Sequence, residues 1–237
     1  MIRIFPPEVK HHAKKVGLIW TGTVTEKARV HYALDSFMLS YGGVSGNRDN
    51  IKVEINYLDR CHILPLEYRT LTPKVAGREF SVLALNPIEL YASKTTALLS
   101  RCAPRDLYDV YTMITGGVIA DENLFRKCFV FYNAVGGNQD ADNLNFDIID
   151  TVTYDKVKRQ LKPVISKTDT FDVKNAQAVV REYLKSVLTL TESEIEFIRL
   201  FKTGDCRLDF LFEDKAMAER IAMHPMLIWR QNSIRKG

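Results

Sequence analysis

NPIELYASKTTALLSRCAPRDLYDVYTM, residues 86 to 113, is the stretch whose reading decides the fold. It divides at Ala103-Pro104 into two short amphipathic helices. Asn86 suits an N-cap, Pro87 the first helical position, and Glu89 a capping box three residues on. The first helix is expected to run to about Cys102. The second begins at Pro104, buries Leu107, Val110, Tyr111 and Ile114, and ends at Gly116-Gly117. Lys94, Arg101, Arg105, Asp106 and Asp109 lie at helical spacing beside these apolar stripes. Charges so placed are paired, solvated or used, because an unpaired buried charge is costly.

Upstream the period changes to two. Val30, Tyr32, Leu34, Ser36, Met38 and Ser40 alternate with His31, Ala33, Asp35, Phe37, Leu39 and Tyr41. A connection rich in glycine and asparagine (GGVSGNRDN) then leads to Ile51-Lys52-Val53-Glu54-Ile55-Asn56-Tyr57, so the two runs predict a long hairpin. Ile51, Val53, Ile55 and Tyr57 are expected on its core face, with Lys52, Glu54 and Asn56 opposite. A third strand is expected over 80–85. Residues 1–20 are basic, marked by proline and without a clear period.

Downstream the chain reads as helical, with periodic segments near 121–134, 154–161, 172–189, 192–202 and 213–221. Thr191-Glu192-Ser193-Glu194 spells a capping box, and the polar run 136–145 (GGNQDADNLN) predicts a loop. The expected fold class is α+β: a mixed β-sheet with flanking helices over 1–116, then an α-helical C-terminal domain over 117–237.

Composition sets outer bounds. Of 237 residues, 46% are hydrophobic and 26% charged, as in an ordinary globular protein. The 33 Lys and Arg against 29 Asp and Glu leave a net charge of +4, too mild to require a nucleic-acid partner. Cys61, Cys102, Cys128 and Cys206 form no CxxC pair, and Cys61-His62 lacks spaced partners, which argues against a zinc site. Free thiols, an N-terminus without an apolar core and the absence of a span-length apolar run predict a cytoplasmic protein. Gly42-Gly43 and Gly136-Gly137 are turn glycines without a following phosphate-binding pattern, and no Ser/His/Asp elbow is present. His11-His12 reads as a solvated basic patch sooner than as a ligand pair, and the basic end, Arg230 and Arg235-Lys236, as a frayed tail sooner than as a phosphate contact.

Three groups of side chains could carry chemistry. Leu90, Lys94, Ala97 and Arg101 share one helix face, where a lysine flanked by Ser93, Thr95 and Thr96 can meet an anion as a point charge. On the next helix Arg105 can pair with Asp109 across one turn, and Asp106 sits where the helix dipole favours a carboxylate. Arg101, Arg105, Asp106 and Asp109 could instead form a salt-bridge network that only fixes the angle between the two helices. Glu54, central in its strand, is either a metal ligand on the open face of a sheet or a surface glutamate paired with Lys52.

The string Lys94-xx-Ala97-Leu98-xx-Arg101-xxx-Arg105-Asp106-Leu107-Tyr108-Asp109, preceded by IKVEINY at 51–57, resembles the abortive-infection nucleotidyltransferase toxins of the AbiEii/AbiGii type. The likeness is strong over about residues 30–115 and looser beyond, taking in His224-Pro225 and Trp229. It implies that the mixed β-sheet with flanking helices over 1–116 is nucleotidyltransferase-like. It also implies a phage-defence toxin with a cognate antitoxin partner. Such a toxin uses Mg2+ and an NTP, and transfers a nucleoside monophosphate to an acceptor, in some cases tRNA. By position, Lys94 matches the lysine that contacts the triphosphate and Asp109 the late active-site aspartate. Arg101, Arg105 and Asp106 match the supporting wall, and Glu54 a third strand carboxylate.

One element of that pattern is missing from the residues. The family's early Gly-Gly or Gly-Ser turn, followed by arginine and an Asp-x-Asp pair for divalent ions, has no counterpart before Arg29. The first 28 residues hold no aspartate, and Asp35 stands alone on its strand. The chain is therefore expected to be a member without its N-terminal segment, impaired in the chemical step. The lost strands predict either a homo-oligomer or cover of the sheet edge by residues 17–25. Two further readings stay open: a non-catalytic protein of this fold that binds an antitoxin or RNA, and a helical interaction domain with no nucleotide history.

Overall fold

A computed structural model describes residues 11, 13–15, 18–23, 34–43, 46–58, 61–72 and 79–235. The expected strand positions Val30 to Ala33, together with His12 and Lys236, lie outside the described residues. The chain divides into two compact units, Met1–Arg60 and Cys61–Gly237.

The first unit is built on a three-stranded antiparallel sheet in the order β1 (Ile19–Thr23), β2 (Leu34–Gly42), β3 (Arg48–Asn56). β2 and β3 form the expected hairpin, with Phe37 opposite Val53, Leu39 opposite Ile51 and Ser36 opposite Glu54. Phe37, Leu39 and Tyr57 are buried, while Val53 and Ile55 are half-buried. Lys52, Glu54 and Asn56 lie exposed on the other face, as a period of two requires. Ile51 departs from the expectation: near the hairpin end it stays 42% exposed. Ile19 to Thr23 pair along β2, covering that edge with residues from the stretch expected to do so.

The second unit opens with an antiparallel hairpin, β4 (Glu67–Leu71) and β5 (Phe80–Ala84). The described strands therefore fall into two small sheets, and all of their pairings are antiparallel. Helices α1 (Pro87–Arg101) and α2 (Pro104–Thr115) follow, then α3 (Glu122–Gly136). After them come α4 (Tyr154–Gln160), α5 (Val173–Val187), α6 (Glu192–Lys202), α7 (Lys215–Ala222) and α8 (Pro225–Ile234).

Their starts are written in the side chains. Asn86, Asp121, Thr153, Asp172, Thr191 and Asp214 each accept a hydrogen bond from a backbone N–H of the following first turn. Thr191 and Glu194 close the expected capping box. One apolar cluster runs from Leu98, Leu99, Leu107, Val110 and Met113 into Phe125, Phe129, Val180, Leu184 and Phe197. Because α1 and α2 share this core, they belong to the compact unit that begins at Cys61, with the helices that follow them.

Candidate active site

Lys94 lies in the middle of α1 and Asp109 in the second turn of α2. Only Cys102 and Ala103 join the two helices. Cys102 takes a left-handed conformation (φ 48°) that lets the chain turn at once into Pro104. It is held there by burial, a backbone bond to the Leu98 carbonyl and a thiol donated to the Ile148 carbonyl at 3.1 Å. This short corner brings the two candidate side chains together: Lys94 Nζ donates to Asp109 Oδ2 at 2.5 Å. Both side chains are 34% exposed, so the pair is held in place but open to solvent. An ammonium so placed can attract an anion, and the carboxylate can accept a proton or a hydroxyl.

Arg101 and Asp106 form a second pair across the same corner. The guanidinium donates two bonds, at 2.8 and 2.7 Å, to the two oxygens of a buried carboxylate in the first turn of α2. That hydrogen bonding raises the Arg101 pKa above its ordinary value against the opposing effect of burial. Arg105 does not join them. It is exposed and makes no ion pair among the described residues, because Lys94 has taken the Asp109 carboxylate expected to be its partner. Of the five charges, four thus resolve into two cross-helix pairs.

Glu54 belongs to the first unit. Its carboxylate meets Lys52 Nζ at 2.8 Å and accepts from Ser36 Oγ at 3.3 Å on the neighbouring strand. The bond to Lys52 leads the causes that lower its pKa. Among the described residues no group of three or more His, Cys, Asp and Glu side chains converges as a metal centre. A lone, lysine-neutralised carboxylate is a poor donor set for Mg2+, which binds through oxygen ligands in octahedral geometry.

The most deeply placed carboxylate departs from the sequence expectation. Glu89 does not close a capping box with Asn86. It is fully buried and accepts from the backbone N–H groups of Ile63 and Leu64, both at 2.9 Å, and from the Tyr132 hydroxyl at 2.5 Å. His224, also buried, caps α8 by accepting the Met226 N–H on Nδ1. Desolvation lowers its pKa, with Glu89 opposing and His62 adding to the shift. No sequence signal separates Glu89 from a capping glutamate, since the residue and its position are the same in both roles.

The α+β fold that carries this helix corner is similar to that of a nucleotidyltransferase toxin. That toxin is MenT4, from Mycobacterium tuberculosis H37Rv, and the TM-score is 0.58 over 87% of this chain and 68% of that one. Sequence identity is 17%, so this likeness speaks of fold. No curated protein matches the sequence. The family described as nucleotidyl transferase AbiEii toxin, Type IV TA system, matches residues 10–199, a span that includes Glu54, Lys94 and Asp109. The chain belongs to that toxin–antitoxin family.

Proposed function

We propose that this protein is a toxin that moves a nucleoside monophosphate from an NTP to an acceptor such as the end of a tRNA, under control of a cognate antitoxin. The observation that carries the reading is the Lys94–Asp109 pair: two groups on consecutive helices, 2.5 Å apart and open to solvent, in a chain of the AbiEii family. In this reading the triphosphate draws Lys94 away from Asp109 and takes its charge. The freed carboxylate then orients the attacking hydroxyl and takes its proton, as that oxygen bonds to the α-phosphorus and the bond to the β-phosphate breaks, releasing pyrophosphate. Arg101 and Asp106 hold the corner between the helices.

The chemical step is weak in this chain. Transfer of this kind relies on carboxylates that place a divalent cation at the developing charge. Several described carboxylates ahead of Lys94 are committed elsewhere: Glu54 to Lys52, Asp49 to the Tyr41 hydroxyl, Glu67 to Arg69 and Glu89 to backbone amides. Those commitments also support the second reading, a protein of this fold that binds its antitoxin or RNA without catalysis.

The two part in a single experiment. Incubation with each labelled NTP, magnesium and total tRNA should label RNA slowly, and Lys94→Ala or Asp109→Ala should cut the rate by about 100-fold or more. No labelling above the level of these variants, with antitoxin or RNA binding intact, establishes the non-catalytic reading instead.

A further inference from the structure

Several of the described cations are ion-paired: Lys52, Arg69, Arg126, Arg199, Lys202 and Arg207 each hold a carboxylate within 3.1 Å. Between residues 154 and 174 none is. Lys156, Lys158, Arg159, Lys162, Lys167 and Lys174 make no ion pair among the described residues. Two of the three carboxylates in the same stretch are already occupied. Asp169 accepts from the Tyr108 hydroxyl at 3.0 Å, and Asp172 caps α5.

Aromatic rings stand among these cations. Tyr154 is 58% exposed, with the Lys162 ammonium 5.0 Å from its ring centroid. Phe171 lines two adjoining cavities, of about 510 Å³ beside Lys162 and Lys167 and about 400 Å³ beside Tyr154 and Lys174. Exposed lysines without a carboxylate partner add little to folding and repel one another. They do bind polyanions well, because each phosphate they neutralise releases a counterion. Cations interleaved with accessible rings suit a single-stranded polynucleotide, whose bases stack while its phosphates are held.

The place of the strip matters as much as its charge. α4, which lies within it, and α5, which begins at its end, both pack against α2, the helix that carries Asp109. Tyr108, the residue before Asp109, reaches Asp169 with its hydroxyl and meets the Phe171 ring edge-on at 5.5 Å between centroids.

We propose that residues 154–174 are the docking surface for the polynucleotide acceptor, an RNA strand led along these cations toward Lys94 and Asp109. The inference rests on the transfer reading but is tested apart from it, by binding of a short fluorescein-labelled single-stranded RNA to the full chain, followed by anisotropy at several salt concentrations. Binding should weaken steeply with salt. The triple variant Lys158→Glu/Arg159→Glu/Lys162→Glu, all exposed positions, should weaken it at least about 10-fold and lower the log–log salt slope by about two, since each phosphate left without its cation removes about 0.7. Lys167→Ser/Lys174→Ser, which adds no charge, should give a smaller loss in the same direction.

Circular dichroism should show both variants folded as the parent. Absent transfer with RNA binding that the triple variant abolishes would sink the transfer reading and keep the surface. RNA binding that the triple variant leaves unchanged, or no RNA binding at all, overturns the surface and leaves the transfer reading standing.

Discussion

Lys94 and Arg101 sit two turns apart on one helix, and each holds an aspartate from the next, yet their partners differ in burial. Asp109 is one-third exposed and Asp106 is buried, with its side chain 5% exposed. An exposed pair contributes little to stability, about 0–1 kcal/mol. A buried carboxylate stripped of its bidentate partner leaves an unmet charge costing roughly 1–3 kcal/mol. Arg101→Ala should therefore lower the urea midpoint by an amount equivalent to about 2 kcal/mol, while Lys94→Ala changes it by less than about 1 kcal/mol. Equal losses would mean that both pairs are structural, and would remove the reason for calling Lys94 functional. His224 gives a pH signature at the same scale. Its folded pKa lies below 6.5, so the folded state favours the neutral ring. Below about 6.5 the unfolded chain binds the proton first, and stability falls as pH drops from there to the folded value. Thermal melts should show this slope, and His224→Asn, which can still cap α8, should flatten it.

At the scale of elements, what the sequence discloses depends on where the signal lies. α1 is legible because cap, proline and apolar stripe agree locally, α2 because proline and stripe do, and α6 because Thr191 and Glu194 spell a box that does close. β4 is hidden: Glu67-Tyr68-Arg69-Thr70-Leu71 is short, and its positions from Tyr68 onward are exposed, with Tyr68 at 77%, so it shows no apolar face. α8 has only Leu227 fully buried among its ten residues, too little for a period to emerge. The convergence of Lys94 on Asp109 can be inferred from family resemblance but not from spacing, since it depends on the left-handed Cys102 corner. Glu89 shows the opposite failure, a local motif put to a distant use. Its three donors come from the 63–64 segment and from α3, so it ties both to the start of α1. Glu89→Gln turns an acceptor into a donor facing donors. It should cost about 2–4 kcal/mol in urea unfolding, whereas Glu89→Gln at no cost would show that the cluster is not what seats α1.

For the whole molecule, the main apolar cluster bears on independence. Each of its buried members, from Ile63 to Leu227, lies beyond Arg60, and the buried Phe37, Leu39 and Tyr57 of the first unit stand outside it. Among the described residues the cluster is made within the second unit, which predicts that residues 61–237 fold alone. At 177 residues, counted from Cys61 to Gly237, that piece is well within the size at which one core sustains a domain. Expressed by itself, it should unfold in one cooperative urea transition and keep the Lys94–Asp109 and Arg101–Asp106 pairs. It should also keep the 154–174 strip, and with it the RNA binding of the full chain. A molten piece, with helical far-ultraviolet dichroism but no cooperative transition, would show that the helical unit needs the first sixty residues to reach its native packing. Retained RNA binding combined with lost nucleotide transfer would show that transfer, unlike RNA binding, requires residues 1–60.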